Sequence, residues 1–447
     1  MQINQRTGRK RGTMNIVKPG TRFWMLKPLL LLLLVALLAT ACGKAGNQSR
    51  QNDAEEPPKP VTLTIMATLD PAILEKLELE KHLKAKYPHI SLKFIQIKAP
   101  DLTFETALAS GEKPDLVCCS IASVGQFIDL GLLSDMTPLI KKHQFDLTRL
   151  RPGMEATVRS YSQTGEFTTM PFYMSNNVVY YNKGIFDLFG LSYPKDGMTW
   201  SDVSELNKKL TRFHNGIQYY GFQFNQQNMT YKNQMALAFV DRKTNKAIVN
   251  TDQWAKWMRT MGEFSFVEGN KPGNGQNLFL KDQTLAMYTG PSLLTLLPDA
   301  MKNGLQWGIV SLPDFDGMKG AGTQMNAPYF AIPPTSEHKD EAFQFLSVLL
   351  SEEVQTNLAA IGSIPVIQSE KAEKALGSAY PELRDNNLQA FFKDTIAKPQ
   401  PYTRYDSTAA NLLFKQLEEY QKGHKDVNTA LRDAEEIINT EIAKLVK

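Results

Sequence analysis

Cysteine is scarce in this sequence of 447 residues, which contains Cys42, Cys118 and Cys119 and no others. Once Cys42 is set aside as the predicted end of the leader described below, the other two are adjacent in the chain, so no framework of long-range disulfides is possible and stability must come from packed hydrophobic cores. One alternative for Cys118 and Cys119 is a strained bridge between neighbours. We favour the other, in which both remain packed thiols.

Catalytic and metal-binding motifs are also missing. The six histidines are scattered through polar stretches. The sequence has no Gly-x-Ser-x-Gly nucleophile elbow and no His-Glu-x-x-His pair. No spacing of Asp and Glu singles out two carboxylates that could flank a glycosidic bond. We therefore predict no catalytic residues, no metal site and no cofactor.

Acidic residues are absent from residues 1–41, which carry seven basic ones. Without that segment, 43 basic residues face 46 acidic ones, so the formal charge changes from +4 to −3. The basic character therefore belongs to the leader, and the remainder gives no support for nucleic-acid binding. A hydrophobic content of 42% and the length after residue 60 are sufficient for two lobes with separate cores.

Residues 29–42, LLLLLLVALLATAC, follow the basic stretch and are typical of a secretory signal. The apolar run is shorter than the ~20 residues that span a bilayer. Its end, from Ala39 to Gly43, resembles a bacterial lipobox, which implies cleavage before Cys42 and a lipid on that cysteine. The alternative is a plain cleaved signal with an incidental cysteine. Residues 42–60 are polar and without periodicity, which predicts a flexible tether.

The first part of the body alternates strand and helix. Residues 61–66, 91–97 and 115–119 are predicted strands, separated by helical patterns over 70–86 and 101–110. This order predicts a doubly wound α/β lobe. Ligands bind beyond the carboxyl ends of strands in such sheets.

That rule places four residues at the rim of a crevice, namely Thr68, Leu69, Cys119 and Ser120. Asp70, before a proline at the first helical position, is predicted to cap a helix rather than to bind a ligand. Pro291-Ser292 is predicted to open a helix whose free N–H groups face the crevice. Trp254 and Trp257 fit the buried stripe of another helix.

Several stretches, taken in order, resemble one known family. They are PDLVCCSIASVGQFIDLGLLSDMTPLI (114–140), MPFYMSNNVVYYNKGIFDLFGL (170–191), TWSDVSEL (199–206), FLKDQTLAMYTGPS (279–292), WGIVSLP (307–313) and the segment 327–366. The chain is similar in these to extracellular solute-binding proteins of family 1, the sugar-binding lipoproteins of ATP-binding cassette importers, of the maltodextrin-binding-protein type. The resemblance covers nearly all of residues 61–447.

The resemblance implies an α/β fold of the type II periplasmic-binding-protein class, a clamp of two discontinuous lobes joined by hinge strands. Residues 61–173 with 326–375 would form lobe 1. Residues 174–325 with 376–447 would form lobe 2. The chain would cross between the lobes near residues 171–177 and again near 324–330.

Carried over by position, the family's ligand contacts fall on thirteen residues of this chain. They are Thr68, Cys119, Ser120, Tyr173, Ser175, Asn225, Tyr231, Gly290, Ser292, Asn326, Tyr329, Arg404 and Asp406. Tyr173 and Tyr329 are the candidates for stacking on a sugar ring, with hinge packing as their alternative. Asn225 and Ser292 are rim residues whose alternative is turn and cap chemistry. Arg404 and Asp406 would suit hydroxyls or an acidic sugar.

The function implied is a receptor that captures a mono- or oligosaccharide and delivers it to the permease subunits of an importer. It would act as a monomer, held by its lipid on the extracellular face of the bacterial cell membrane. Two alternatives remain open at this point. One is a secreted lipoprotein enzyme acting on glycans, and the other is a ligand-binding partner of a membrane sensor.

The lipid anchor gives a first test. Replacing the acceptor in Cys42→Ala should release the protein from membranes, because the acyl chains would be absent. Fractionation of cells into membrane and soluble material, followed by immunodetection, measures this. A variant that stays with the membrane as the wild type does would show that the lipobox prediction is wrong.

Overall fold

The computed structural model describes residues 58–120, 123–325 and 327–445. The predicted signal peptide at 1–41, the predicted lipid site Cys42 and all but the last three residues of the predicted tether lie outside the described residues. Asn326 lies outside them as well.

The described part of the chain alternates strands and helices. The strands are β1 (Val61–Ala67), β2 (Ile90–Gln96), β3 (Leu116–Ser120), β4 (Met170–Pro171), β5 (Tyr173–Met174), β6 (Val179–Asn182), β7 (Arg212–His214), β8 (Ile217–Phe224), β9 (Val240–Asp241), β10 (Lys246–Ala247), β11 (Leu285–Thr289), β12 (Trp307–Val310), β13 (Pro328–Ala331) and β14 (Ile364–Pro365). The α-helices are α1 (Ala72–Lys76), α2 (Leu79–Lys86), α3 (Phe104–Ala109), α4 (Val124–Asp129), α5 (Thr137–Lys142), α6 (Met154–Ser160), α7 (Lys183–Leu188), α8 (Trp200–Leu210), α9 (Gln226–Tyr231), α10 (Asp252–Glu263), α11 (Gly275–Leu280), α12 (Leu297–Lys302), α13 (Lys339–Leu349), α14 (Glu352–Ala360), α15 (Glu370–Lys374), α16 (Asp406–Gln421) and α17 (Val427–Leu445).

The first sheet has the strand order β2-β1-β3-β13-β4. β1 is parallel to β2 and to β3, which is the doubly wound arrangement that the sequence predicts. β13 then runs antiparallel between β3 and β4, with Tyr329 opposite Cys119 on one side and Pro171 on the other. The sheet is therefore mixed, since a strand from much later in the chain completes it.

The second sheet has the order β12-β6-β11-β8-β7. Only β11 and β8 are parallel in it, and the remaining pairs are antiparallel. Two short pairs, β9 with β10 and β5 with β14, lie outside both five-stranded sheets. The α/β class with two sheets agrees with the prediction.

The chain passes between the two sheets twice. It leaves the first sheet after β4 and enters the second at β6, and it leaves the second after β12 and returns at β13. That these passages act as the hinges implied by the resemblance stays a prediction. The lobe boundaries implied above stay a prediction.

Helix caps and cores follow from the local sequence. Thr199 and Asp202 form a capping box at the start of α8. Trp254 and Trp257 on α10 are both buried, which confirms the predicted apolar stripe. They share a core with the buried faces of α16 and α17, so the C-terminal helices cover the second sheet.

Two predicted helices differ in the structure. The helix after Asp70 breaks in two because Glu78 adopts a left-handed conformation with φ 48°. The expected helix at Pro291-Ser292 begins at Leu297 instead, so no helix N-terminus lies at Ser292.

Cys118 and Cys119 are free and buried, which confirms packed thiols. Within the described residues, no helix is both long and apolar enough to cross a bilayer.

Gly221 permits a close contact between β8 and α8. A Cβ there would lie 2.5 Å from the Cα and the carbonyl oxygen of Asn207. The Asn207 side chain is itself fixed, because its Oδ1 accepts from Phe222 N at 2.8 Å and its Nδ2 donates to Phe264 O at 3.1 Å. Neither the strand nor the helix can yield without losing these hydrogen bonds.

We therefore expect Gly221→Ala to lower the free energy of unfolding by about 1–3 kcal/mol through overpacking. Urea denaturation monitored by circular dichroism measures the change. Gly273→Ala is the matched control, because the nearest atom to its new Cβ is 3.7 Å away. Equal stability of the two variants would contradict the contact.

Candidate functional site

The carboxyl ends of β1 and β3 lie side by side, as the sequence predicts. Thr68 N donates to Cys118 O at 3.2 Å, which holds the two strand ends together. Thr68 and Ser120 are both exposed at this edge. The edge is therefore available to a ligand.

A cavity of about 460 Å³, hereafter the cleft, opens beside this edge and gathers residues from both sheets. Ser120 comes from the first sheet, and Ser292 follows the last residues of β11 in the second. Tyr173 and Ser175 come from the first passage between the sheets. Ala327 and Pro328 come from the second passage, next to Asn326. Four predicted ligand contacts thus share one cavity.

The described walls of the cleft carry hydroxyl groups. Besides the residues above, Thr295 and Ser363 contribute hydroxyls. Among the described residues that line the cleft, none is acidic or basic. Tyr173 is half-buried, and burial raises the pKa of its phenol to about 12. It therefore stays neutral and offers both a hydrogen-bonding hydroxyl and an aromatic ring.

Ser292 lies on the second-sheet side of the cleft, whereas Gly290, two residues before it, is not among the residues that line the cleft. A Cβ at Gly290 would lie 2.5 Å from the Tyr288 hydroxyl and 3.0 Å from Asn225 Cβ, so this position has no room for a side chain. Ser292 Oγ accepts a long hydrogen bond of 3.4 Å from Leu294 N. A turn therefore presents Ser292, where the sequence had suggested a helix start.

Two predicted contacts are inaccessible in this structure. Tyr329 is 0% exposed, and its hydroxyl accepts from that of Tyr161 at 2.9 Å. The Tyr161 ring lies edge-on against it, with centroids 5.3 Å apart. Tyr329 therefore packs in the core and offers no stacking face, which corrects that expectation. Cys119 is 1% exposed, and burial raises the pKa of its thiol well above the usual value.

The remaining predicted contacts lie at other places. Tyr231 and Asp406 line a small separate cavity of about 40 Å³. Burial raises the pKa of Asp406 to about 6, and its carboxylate accepts from Thr403 Oγ1 at 2.6 Å. Arg404 pairs with Asp129 at 3.0 Å. Asn225 caps α9 by accepting from Asn228 N at 2.9 Å, which favours its cap interpretation.

Comparison with known proteins gives the family. Residues 61–356 match the sequence profile of the bacterial extracellular solute-binding proteins. The chain belongs to this family.

Known relatives agree with that assignment. The sn-glycerol-3-phosphate-binding periplasmic protein UgpB of Brucella melitensis is 25% identical over 330 residues, which are 67% of this chain and 73% of that protein. The substrate-binding protein Lmo0181 of Listeria monocytogenes, solved with cycloalternan, has a TM-score of 0.69 at 20% identity, covering 86% of this chain and all of that one. The cyclic alpha-maltosyl-1,6-maltose binding protein of Arthrobacter globiformis has a TM-score of 0.71 at 18% identity, covering 86% and 99%. The two structures share the fold. This solute-binding protein thus belongs to a class that binds its ligands and does not transform them.

Sequence analysis missed Lys232, which holds the first passage of this solute-binding protein in place. The side chain is 1% exposed, and Nζ donates to Ser175 O at 3.1 Å and to Asn177 Oδ1 at 3.0 Å. Within the described residues it has no salt bridge, and burial lowers its pKa to about 7. Nothing in the sequence around Lys232 signals this role, because its two acceptors, one main-chain and one side-chain, are 57 and 55 residues away in the chain.

Arg242 is a second residue that the sequence did not reveal. It follows β9 of the short β9–β10 pair and donates to main-chain carbonyls on the far side of the small cavity. The acceptors are Ser162 O at 3.1 Å, Tyr402 O at 2.8 Å and Ser160 O. One guanidinium thus joins the end of α6 to the segment that precedes α16.

The buried Lys232 predicts a pH dependence of stability. The folded protein releases this proton near pH 7, whereas an unfolded lysine keeps it up to about pH 10.4. Between these values the unfolded state binds more protons, so the free energy of unfolding rises with pH. We expect a steeper rise from about pH 7 to about pH 8.5 in the wild type than in Lys232→Met, because ionisation of the thiols in the unfolded chain is common to both proteins and cancels in the comparison. Urea titrations at both pH values measure it, and parallel slopes would contradict the prediction.

Proposed function

We propose that this solute-binding protein captures an uncharged mono- or oligosaccharide in the cleft. The observation that carries the proposal is the composition of the cleft wall, which combines hydroxyl groups with the ring of Tyr173 and, among the residues that the structure describes there, no charged side chain. A sugar presents hydroxyls to polar groups and C–H faces to an aromatic ring. The sugar ligands named for the Listeria and Arthrobacter proteins are consistent with this class.

The same wall argues against a phosphorylated ligand such as the one for which UgpB is named. A phosphate in a protein site is bound by Arg or Lys, or by several main-chain N–H groups at a helix start. The described cleft residues include no basic side chain, and the helix after Ser292 begins five residues further on, at Leu297. Lys232 lies close to Ser175 of the cleft wall, but its Nζ already donates to Ser175 O and to Asn177 Oδ1.

Closure of two lobes would trap the sugar. The two passages between the sheets are the natural hinges, and both contribute residues to the cleft. A ligand stabilises the closed form only by its differential affinity for that form. Lobe 1 would consist of residues 61–173 with 326–375, and lobe 2 of residues 174–325 with 376–447.

The N-terminal segment indicates the location of the protein in the cell. We propose that a lipid on Cys42 holds the monomer at the extracellular face of the cell membrane. Residues 42–60 would let the body reach the permease subunits of an ATP-binding cassette importer, to which it delivers the sugar unchanged. The family membership and the sequence of residues 29–43 support this proposal.

A binding screen tests the ligand class. The purified protein is incubated with a panel of neutral mono- and oligosaccharides and, separately, with sn-glycerol 3-phosphate. At least one neutral sugar should raise the melting temperature in a concentration-dependent way, because it binds the native state alone. Chromatography of the recovered sugar should show no product. Stabilisation by the phosphate with no response to any neutral sugar, or turnover of a glycan, would contradict the proposal.

The cleft is tested by Tyr173→Ala. Loss of the stacking surface should weaken binding of the sugar found in the screen by about tenfold, or about 1.4 kcal/mol, by isothermal titration calorimetry. Tyr193→Ala is the matched control, because Tyr193 is 39% exposed and lies outside the cleft lining. Equal affinities of the two variants would show that Tyr173 makes no such contact.

A further inference from the structure

A second cavity, hereafter the amide cavity, lies on the second sheet beyond the carboxyl end of β8. Its volume is about 590 Å³, against about 460 Å³ for the cleft, and the two share no lining residue. It opens past the exposed residues 272–274. Its walls are rich in side-chain amides, among them Gln227, Asn274, Gln276 and Asn277.

Three aromatic residues line this cavity, namely Phe224, Tyr288 and Phe414. Phe224 and Tyr288 are buried in the hydrophobic cores, whereas Phe414, on α16, is half-buried and belongs to neither core. The buried apolar residues of the same helix, such as Leu413 and Leu417, pack in the second core. The ring of Phe414 is therefore held at the cavity wall by a helix whose other face is fixed.

Hydrogen-bonding capacity at the wall is unused within the described residues. The side chains of Gln276 and Glu418 make no hydrogen bond or ion pair there. Behind the wall, Gln223 is 6% exposed, and its Oε1 has no hydrogen-bond partner among the described residues. A Cβ at Gly273 would lie 3.8 Å from that oxygen, so Gln223 reaches the cavity edge. A buried acceptor of this kind is costly to leave unpaired.

We propose that the amide cavity is a second binding site for an uncharged oligosaccharide. Amides supply paired donors and acceptors that match neighbouring hydroxyls, a carboxylate accepts from hydroxyls, and an aromatic ring covers a C–H face. The residues described along the cavity include no basic side chain, and Glu418 repels anions, so a phosphorylated or acidic ligand does not fit. The site is independent of the cleft, and its occupation does not require that the cleft bind sugar.

The test uses hydrogen exchange of the purified full chain with maltotetraose, mannotriose and raffinose, each added separately at millimolar concentration. At least one should slow amide exchange in α11 and in the part of α16 around Phe414, through the added contacts. The same protection should persist in the cleft variant Tyr173→Ala, which separates this site from the proposed function of the cleft. Phe414→Ala should weaken the titrated protection by about tenfold.

Phe213→Ala is the matched control, because Phe213 is 71% exposed on the hairpin of β7 and β8 and lines neither cavity. Gln276→Ala is the second variant, since a partly exposed polar side chain can be truncated without disturbing a core. It should weaken the protection, whereas Phe213→Ala should not. The proposal is overturned if no sugar protects these helices, if Tyr173→Ala abolishes the protection, or if Phe414→Ala and Gln276→Ala leave it at the wild-type level.

Discussion

The pairing of β13 with β3 and β4 is the constraint on which the architecture depends. β3 ends at Ser120 and β4 begins at Met170, yet the strand that joins them in the sheet is residues 328–331. The chain between β4 and β13 builds the second sheet before β13 returns to the first. Two passages between the sheets are therefore obligatory, and the cleft lies where both emerge. The proposed hinges and the cleft are therefore consequences of one strand insertion.

The passages are irregular backbone in a partly buried place, so their polar groups need partners. Lys232 meets part of this need, because its Nζ donates to Ser175 O in the first passage. This cationic side chain serves as a hydrogen-bond donor rather than as an ion-pair partner. The described wall of the cleft can therefore be free of charge although a lysine lies close behind the first passage.

Much of this fold could be predicted from the sequence because its signals are local. The β1–β2–β3 unit follows from alternating periodicity, the capping box of α8 from Thr199 and Asp202, and the packed thiols from the buried strand that holds them. The order of motifs indicated the family, which the profile match confirms.

The candidate site could be predicted less well from the sequence than the fold. Ser120, Tyr173, Ser175 and Ser292 lie together, but the burial of Tyr329 depends on Tyr161, a residue 168 positions away, and no local pattern reveals that contact. The unwound segment before Leu297 has the same origin, because Leu293 and Leu294 are drawn into the core.

The two adjacent thiols have a consequence for the conditions in which the protein can be used. Cys118 and Cys119 are both buried, and burial raises the pKa of each thiol, so the reactive thiolate form is suppressed. No covalent cross-link has to form between the described cysteines for the chain to reach its native state. Folding of the described residues then needs no thiol oxidoreductase, and their packing does not depend on whether the surroundings are oxidising or reducing.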